Sequence, residues 1–366
     1  MDAPEHPLPS PAAPPLVVAL GVLTLAGVVG LIAVGRMWRA PPALVAAAVF
    51  FLPHLHALLA AAFFAAWWRW SSSRALLALW VAVLALGAAL WGGSWSASAQ
   101  PVEGAPLRVL TWNVHRLWGG PGEAADPGSC VAAVVREEAP DVAVFLEVSA
   151  DDVARLRGEL DLRCVHSDYL GTGRPRVGGL AVCARGPRAS LLGGGGVPYS
   201  DGAAWRYVAA EVGVGDRVMN VVAVHLSPYG VGARRFRAEL LEAARGEAGA
   251  LAHLGASGQQ TFKVQGAQAA GLLGRVERFR DPTLLAGDFN STRDTALHTA
   301  LRRHLTDAWD PGGRGFGATA TLFGWVPLRV DYLYASREFA VQEATVLRSG
   351  CSDHLPVVVQ LSLAAP

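Results

Sequence analysis

Residues 282–292 read PTLLAGDFNST: a short apolar run that stops at a carboxylate, Asp288, followed two residues later by Asn290. Taken alone, this is a buried strand whose polar end caps the helix that starts after Thr292. The pattern recurs, however. LRVLTWN (107–113) stops at Asn113, DVAVFLE (141–147) at Glu147, and VMNVVAVHL (218–226) reaches His225. Groups at the ends of strands in one sheet converge along one edge. Burying one such group costs roughly 1–3 kcal/mol unless it finds a partner, and more if it is charged. Four in equivalent places are expected to partner one another or a shared ion.

Further short β-type runs occupy 178–184, 205–212, 329–335 and 355–363, and helical patterns occupy 129–139, 149–160, 233–254, 263–279 and 293–303. Hairpin and helical connections together predict mixed sheets with helices packed outside. Two more polar features fall within this region. Asp331 lies early in the run RVDYLYA, and Ser352-Asp353-His354 stands immediately before the last strand. Adjacent Asp and His side chains project in different directions, so one suits a metal and the other proton transfer. Asp331 is a natural partner for His354, because a carboxylate on one ring nitrogen fixes the tautomer and leaves the other basic.

Composition divides the chain. Of the 61 charged side chains in 366 residues, six lie in residues 1–100, and 55 in the remaining 266 positions. The second proportion is ordinary for a globular domain, so the apolar excess belongs to the first hundred residues. Disordered and disulfide-dense miniprotein classes are excluded. The net charge of +1 shows no basic surplus of the kind that marks many nucleic-acid binders. The four cysteines, Cys130, Cys164, Cys183 and Cys351, have no zinc-type spacing.

Uncharged stretches at 15–35, 42–68 and 75–91, with tryptophans near their ends, predict three transmembrane helices. The expected organisation is a tail (1–14), a membrane domain (15–91), a linker (92–106) and a soluble domain (107–366). The leader MDAPEHPLPSPAAP lacks basic residues, unlike a cleavable signal. It also lacks the positive charge that would hold it inside, which sends the soluble domain to the cytosol by a margin of one or two arginines. His54 and His56 fall inside the second stretch, where they either serve function or bond to neighbouring helices.

The ordered set Thr-Trp-Asn113, Leu-Glu147, His225-Leu, Gly-Asp288-Phe-Asn290, Arg329-Val-Asp331-Tyr and Ser352-Asp353-His354 resembles the endonuclease/exonuclease/phosphatase superfamily, across about 107–364. The resemblance implies a four-layer α/β sandwich, two mixed sheets face to face with helices outside, and a hard divalent cation, Mg²⁺ or alternatively Mn²⁺. Carried over by position, Glu147, Asn113 and Asp353 look like metal ligands. His354 paired with Asp331 resembles the general base, Asp288 and Asn290 the pair that orients the nucleophile, and His225 the phosphate-binding histidine. Whether His354 or Asp288 is the base stays open at this point.

Three N-terminal spans before such a domain resemble the membrane-bound, VanJ-like glycopeptide-resistance branch, in which the domain faces outward and acts on a lipid-linked pyrophosphate. Against the arginine bias, this favours a multi-pass protein of the cell membrane with an extracytoplasmic domain. In that oxidising space Cys164 and Cys183 either pair or remain buried thiols. The expected function is a membrane-anchored phosphoesterase acting on a lipid-linked phosphate or pyrophosphate. The rivals are a membrane-tethered nuclease, with nucleic acid as the less favoured partner, and a catalytically silent binding module. No protein partner is implied. The stretch 229–260 is longer than expected for this superfamily. In it Arg234, Arg235 and Arg237 crowd the first turn of the expected helix and either pair with Glu239 and Glu242 or meet an anion.

Overall fold

The computed structural model describes residues 13–38, 42–91, 104–117, 126–174, 176, 178–186, 188–199, 206–228, 242, 245, 246, 249–322 and 324–364. Residues 92–103 of the expected 92–106 linker, and Arg234, Arg235 and Arg237, lie outside the described residues.

The N-terminal region holds α1 (Pro15–Met37), α2 (Ala43–Phe50), α3 (Leu52–Arg69) and α4 (Arg74–Trp91). Only α1 is long and apolar enough to cross a membrane, so the expectation of three spans is corrected to one among the described residues. The second apolar stretch breaks at Phe51, because Pro53 stands in the first turn of α3 and cannot continue a preceding helix. In α1, by contrast, Leu16, Leu20, Leu23 and Val29 are at least half exposed, while Val28 and Ile32 pack with Leu52. His54 is not enclosed among helices. Its Nε2 lies 2.7 Å from the Pro327 carbonyl oxygen, on the C-terminal part of the chain. His56 is buried against Gly87 of α4.

The remainder runs β1 (Gly104–Asn113), α5 (Pro127–Glu138), β2 (Val142–Val148), α6 (Ala150–Leu160), β3 (Arg163–Asp168), β4 (Gly179–Ala184), β5 (Ser190–Pro198), β6 (Arg206–Val214) and β7 (Arg217–His225). It continues through α7 (Ala250–Val276), β8 (Thr283–Asp288), α8 (Ala296–Leu301), β9 (Thr306–Asp307), α9 (Trp309–Gly312), β10 (Ala320–Leu322), β11 (Val326–Leu328), β12 (Asp331–Ala335), β13 (Phe339–Val346) and β14 (Val357–Ala364). Local chemistry sets the helix ends. Asp126 caps α5 by accepting the Ser129 N–H, and Ser149 with Asp152 forms a reciprocal capping box on α6.

One sheet has the order β13-β14-β1-β2-β4-β3 and the other β5-β6-β7-β8-β12-β9. β1 runs parallel to β2, and β7 to β8; their other neighbours are antiparallel. Val109, Val144, Val182, Val221, Ala286 and Val359 are among the side chains that fill the space between the sheets. The outer faces pack separately. Trp112, Val131, Phe145 and Leu156 form one layer with α5 and α6, and Val224, Leu272, Phe289 and Tyr334 form another with α7. The result is the expected four-layer α/β sandwich. Each fully buried Val or Leu contributes roughly 1.5–3 kcal/mol, which fixes strand register wherever both faces are covered.

Candidate active site

The register of these strands gathers the polar ends. Asn113 closes β1, opposite Leu146 of β2, so Glu147 emerges beside it. In the second sheet, Asp288 pairs in register with His225 on one side and Asp331 on the other. His354 precedes β14, which is antiparallel to β1, and so returns to the same edge. The edge is where the two sheets meet at one end of the sandwich.

Asn113 joins the two sheets. Its Nδ2 donates to Glu147 Oε1 at 3.1 Å and to Asp288 Oδ2 at 3.3 Å, and its Oδ1 accepts the His115 N–H. Glu147 adopts φ +55°, a left-handed backbone that non-glycine residues seldom take and that turns its side chain out of the strand. Close approach at β8 depends on Gly287, with φ +143°, because a Cβ there would meet the Val224 carbonyl oxygen at 1.9 Å.

Asp288 Oδ2 lies 3.6 Å from His225 Nε2 and 3.9 Å from His354 Nε2. His354 Nδ1 is 2.8 Å from Asp331 Oδ2. The Asp331 amide is held in turn by Thr319 Oγ1. Asn290 turns back through its amide nitrogen to the Leu226 carbonyl, and its own N–H donates to Asp288 Oδ1. The loop before β14 is fixed by Ser352 Oγ, which donates to the Asn113 carbonyl, and by Trp112 Nε1, which donates to that of His354. The disulfide Cys130–Cys351 ties the same loop to α5, and Cys164–Cys183 joins β3 to β4. Asp353 is set apart from the buried group: its side chain is 60% exposed, 3.7 Å from His115 Nδ1.

Electrostatics follow from this crowding. Burial, then the Asp331 carboxylate, push the Asp288 carboxyl up to about 6, although His354 and His225 oppose them. Burial would discharge His354, but Asp331 and Asp288 outweigh it and hold the imidazole well above its ordinary 6.5. Burial also opposes ionisation of Glu147. There His225, the Asn113 amide, His354 and His115 prevail, and the carboxyl stays below its usual value.

The sequence does not single out Tyr169. Its hydroxyl accepts the Glu147 N–H at 3.1 Å and lies 2.6 Å from His225 Nδ1. That contact holds the imidazole with its Nε2 toward Asp288 Oδ2, 3.6 Å away. Tyr169 directly follows β3 and reaches the common edge by the same logic as the other strand ends. Gln265 of α7 is a second supporting group; it donates to the carbonyls of Ser227 and Asn290.

The donor set fits a hard divalent cation. Glu147, Asp288, Asp331 and Asp353 outnumber the nearby cationic groups, and Asp331 Oδ1 is buried without a hydrogen-bond partner among the described residues. Asp288, Asp331 and His354 also each bring one ligand atom to within 4.8 Å of the others. Oxygen-rich sites of this kind suit Mg²⁺ or Mn²⁺.

Residues 110–354 match the Endonuclease/Exonuclease/phosphatase family, and the chain belongs to it. Enzymes of this family are mostly hydrolases of phosphoester bonds and usually use divalent metals. Comparison of the sequence with curated proteins finds no significant match. Among solved structures, the chain is similar to an endonuclease/exonuclease/phosphatase from Beutenbergia cavernae, with 26% identity and a TM-score of 0.50 over 71% of this chain and 72% of that one. The human Nocturnin catalytic domain, solved with bound sulfate, matches at 18% identity and TM-score 0.52, covering 71% and 95%. A mannosyl-6-phosphatase from Bacteroides thetaiotaomicron matches at 14% and 0.51, covering 70% and 99%. These last two likenesses are of fold.

Proposed function

We propose that this protein is a membrane-anchored, divalent-metal-dependent phosphoesterase whose substrate is a phosphorylated or pyrophosphorylated lipid. The observation that carries the reading is the seating of the anchor on the site. Arg36, near the C-terminal end of α1, is 2.8 Å from Asp294, a fully buried carboxylate four residues beyond Asn290. A hydrolytic site joined to the end of a membrane-length helix works where lipid phosphates lie.

Glu147 would hold the cation, with Asn113 steadying it through its amide N–H, and Asp353, exposed beside His115, would be the second ligand only by moving toward Glu147. When bound, a divalent cation neutralises phosphoryl oxygens and lowers the pKa of water. Asp288, at about 6, is poised to accept a proton from the attacking water near neutral pH. His354, kept protonated by Asp331, donates from Nε2 to a phosphoryl oxygen and stabilises its developing charge. His225, whose Nε2 faces Asp288, is placed to bind the phosphate or to protonate the leaving oxygen. Asn290 fixes Asp288 through its backbone N–H. On this reading Asp288 serves as the base, and His354 serves as the donor to the phosphoryl oxygen.

The two disulfides support an extracytoplasmic position, since such bonds persist in oxidising compartments. They oppose the arginine bias, and Arg36 is engaged with buried Asp294, so it is a weak topological signal. The test is to purify the full chain and supply Mg²⁺ with undecaprenyl pyrophosphate, phosphoinositides, sphingomyelin or plasmid DNA, using His354→Ala and EDTA as controls. Turnover of a lipid phosphate that both controls abolish is expected. Nicking of plasmid DNA with no lipid turnover would overturn the substrate assignment, and equal turnover by His354→Ala would overturn the site.

A further inference from the structure

A cavity of ≈160 Å³ opens beside His354, Asn290 and Asp353. Its far wall comes from two places distant in sequence. Phe50 and Phe51 stand at the elbow between α2 and α3, and Leu322, Leu328 and Val330 come from the β10–β11 hairpin and the entry to β12. The elbow is fastened to the site at two points: Thr292 Oγ1 donates to the Phe50 carbonyl at 3.3 Å, and His54 Nε2 lies 2.7 Å from the Pro327 carbonyl oxygen. The N-terminal helices therefore complete a pocket whose other end is the proposed catalytic group.

We propose that this groove takes the first carbons of the substrate's hydrocarbon chain, with Phe51 and Leu322 as facing walls that set chain specificity. The proposal rests on the phosphoesterase reading above and adds where the non-reacting part of the substrate lies. Three observations favour a chain. Among the described residues, those that line the cavity include no Arg or Lys, whereas a groove that follows a nucleic-acid backbone needs cations. The aromatic and aliphatic side chains are continuous with the charged site, so one molecule with a phosphate head and an apolar tail satisfies both ends. The hairpin that forms the outer wall carries Trp325 near its tip, 75% exposed, a residue that favours an apolar–aqueous boundary.

The test uses the full chain in lipid nanodiscs with Mg²⁺, and titrates methyl, butyl and octyl phosphate and thymidine 5′-phosphate by calorimetry, with empty discs subtracted. Burial of each methylene is expected to lower Kd by about fourfold while the groove fills. Octyl phosphate should therefore bind at least ~10²-fold more tightly than methyl phosphate. Phe51→Ser and, on the surface hairpin, Leu322→Asn are each expected to cut that ratio tenfold or more. A wild-type ratio near one, or a ratio that both variants leave intact, overturns the groove. Tighter binding of thymidine 5′-phosphate than of octyl phosphate, lost in Phe51→Ser, overturns it in favour of base stacking. The two levels fail separately. If methyl phosphate binds and the chain adds nothing, only the groove is wrong; if no phosphate binds at all, the phosphoesterase reading falls as well.

Discussion

Replacing Asp331 by Asn tests the proposed division of labour between His354 and Asp288. The amide keeps the size of the carboxylate and the backbone bond to Thr319 but removes the charge that holds His354 2.8 Å away. Asp331 is buried and His354 nearly so, and the protonated imidazole loses its main counter-charge. Removing one partner of a buried ion pair costs about 3–5 kcal/mol, and at about 1.4 kcal/mol per decade this corresponds to a loss of roughly 10²–10⁴-fold if the cost appears in the transition state. The pH profile gives a second, independent readout. Asp331 raises Asp288, so its removal lowers the pKa of Asp288 below about 6 and moves the acidic limb of the rate profile to lower pH. His354 loses its largest upward influence at the same time, so the alkaline limb also moves down. The assay is the initial rate of phosphate ester hydrolysis with saturating Mg²⁺ between pH 5 and 9, on variant protein whose melting temperature is checked. A variant with wild-type rate and unmoved limbs would refute the assignment of both residues.

Breaking the Cys130–Cys351 bridge with paired serines, a closure spanning 221 residues, should cost about 5 kcal/mol by chain entropy, against about 3 kcal/mol for the 19-residue Cys164–Cys183 closure. Only the first should also lower turnover, because Cys351 adjoins Ser352 and His354; melting curves and rates for the two variants decide this. His298 is fully buried between Ser291 and Tyr334, and burial, its largest influence, holds its pKa well below 6.5. Its contribution to stability is present above pH 6.5 and is lost as pH falls toward the folded value, because only the unfolded chain takes up the proton. Urea midpoints at pH 7.5 and 5.5 should differ less in His298→Gln than in wild type. Arg329→Met leaves Asp307 buried without its 2.5 Å partner and should destabilise by about 3–5 kcal/mol, a loss that Asp307→Leu should largely relieve in the double variant, as read from chemical denaturation.

Several parts of this architecture are legible in the sequence because local physics and global fold agree there. Strand ends at Asn113, Glu147, His225 and Asp288 stand out as polar groups that close apolar runs, and the register of parallel and antiparallel pairs brings them to one edge. β5 is illegible for the opposite reason. Its Gly193–Gly196 run reads as a loop by propensity, yet a Cβ at Gly194 would strike the Ala209 carbonyl oxygen and one at Gly196 the Ser167 hydroxyl. Close packing between strands, absent from any one-dimensional pattern, selects the glycines. Tyr169 is hidden similarly, since its partners lie 22 and 56 residues away. Cys130 and Cys351 are too far apart for spacing to suggest a pair. The membrane stretches mislead because an apolar count cannot distinguish a helix that faces lipid from one broken at Pro53 and turned against the folded domain.

That broken stretch gives the N-terminal region its role. A simple tether needs one spanning helix and a linker, and it leaves the height of the domain above the bilayer free. Here α1 ends at the part-buried Arg36–Asp294 pair, and the α2–α3 elbow meets β11 and the loop after Asn290. At 1.5 Å per residue the 23 residues of α1 span about 35 Å, close to a bilayer's hydrocarbon thickness plus its boundary. The salt bridge lies one residue from the end of that helix, so on the proposed reading the site is held at the membrane surface. A phosphate carried by a membrane lipid arrives at that height without a lid or a large domain motion. A long polyanion must instead approach along a surface occupied by headgroups and by the protein's own helices. On the proposed reading, the fastening of the junction at Arg36, Phe50 and His54, more than the anchor itself, would favour a substrate that is part of the membrane.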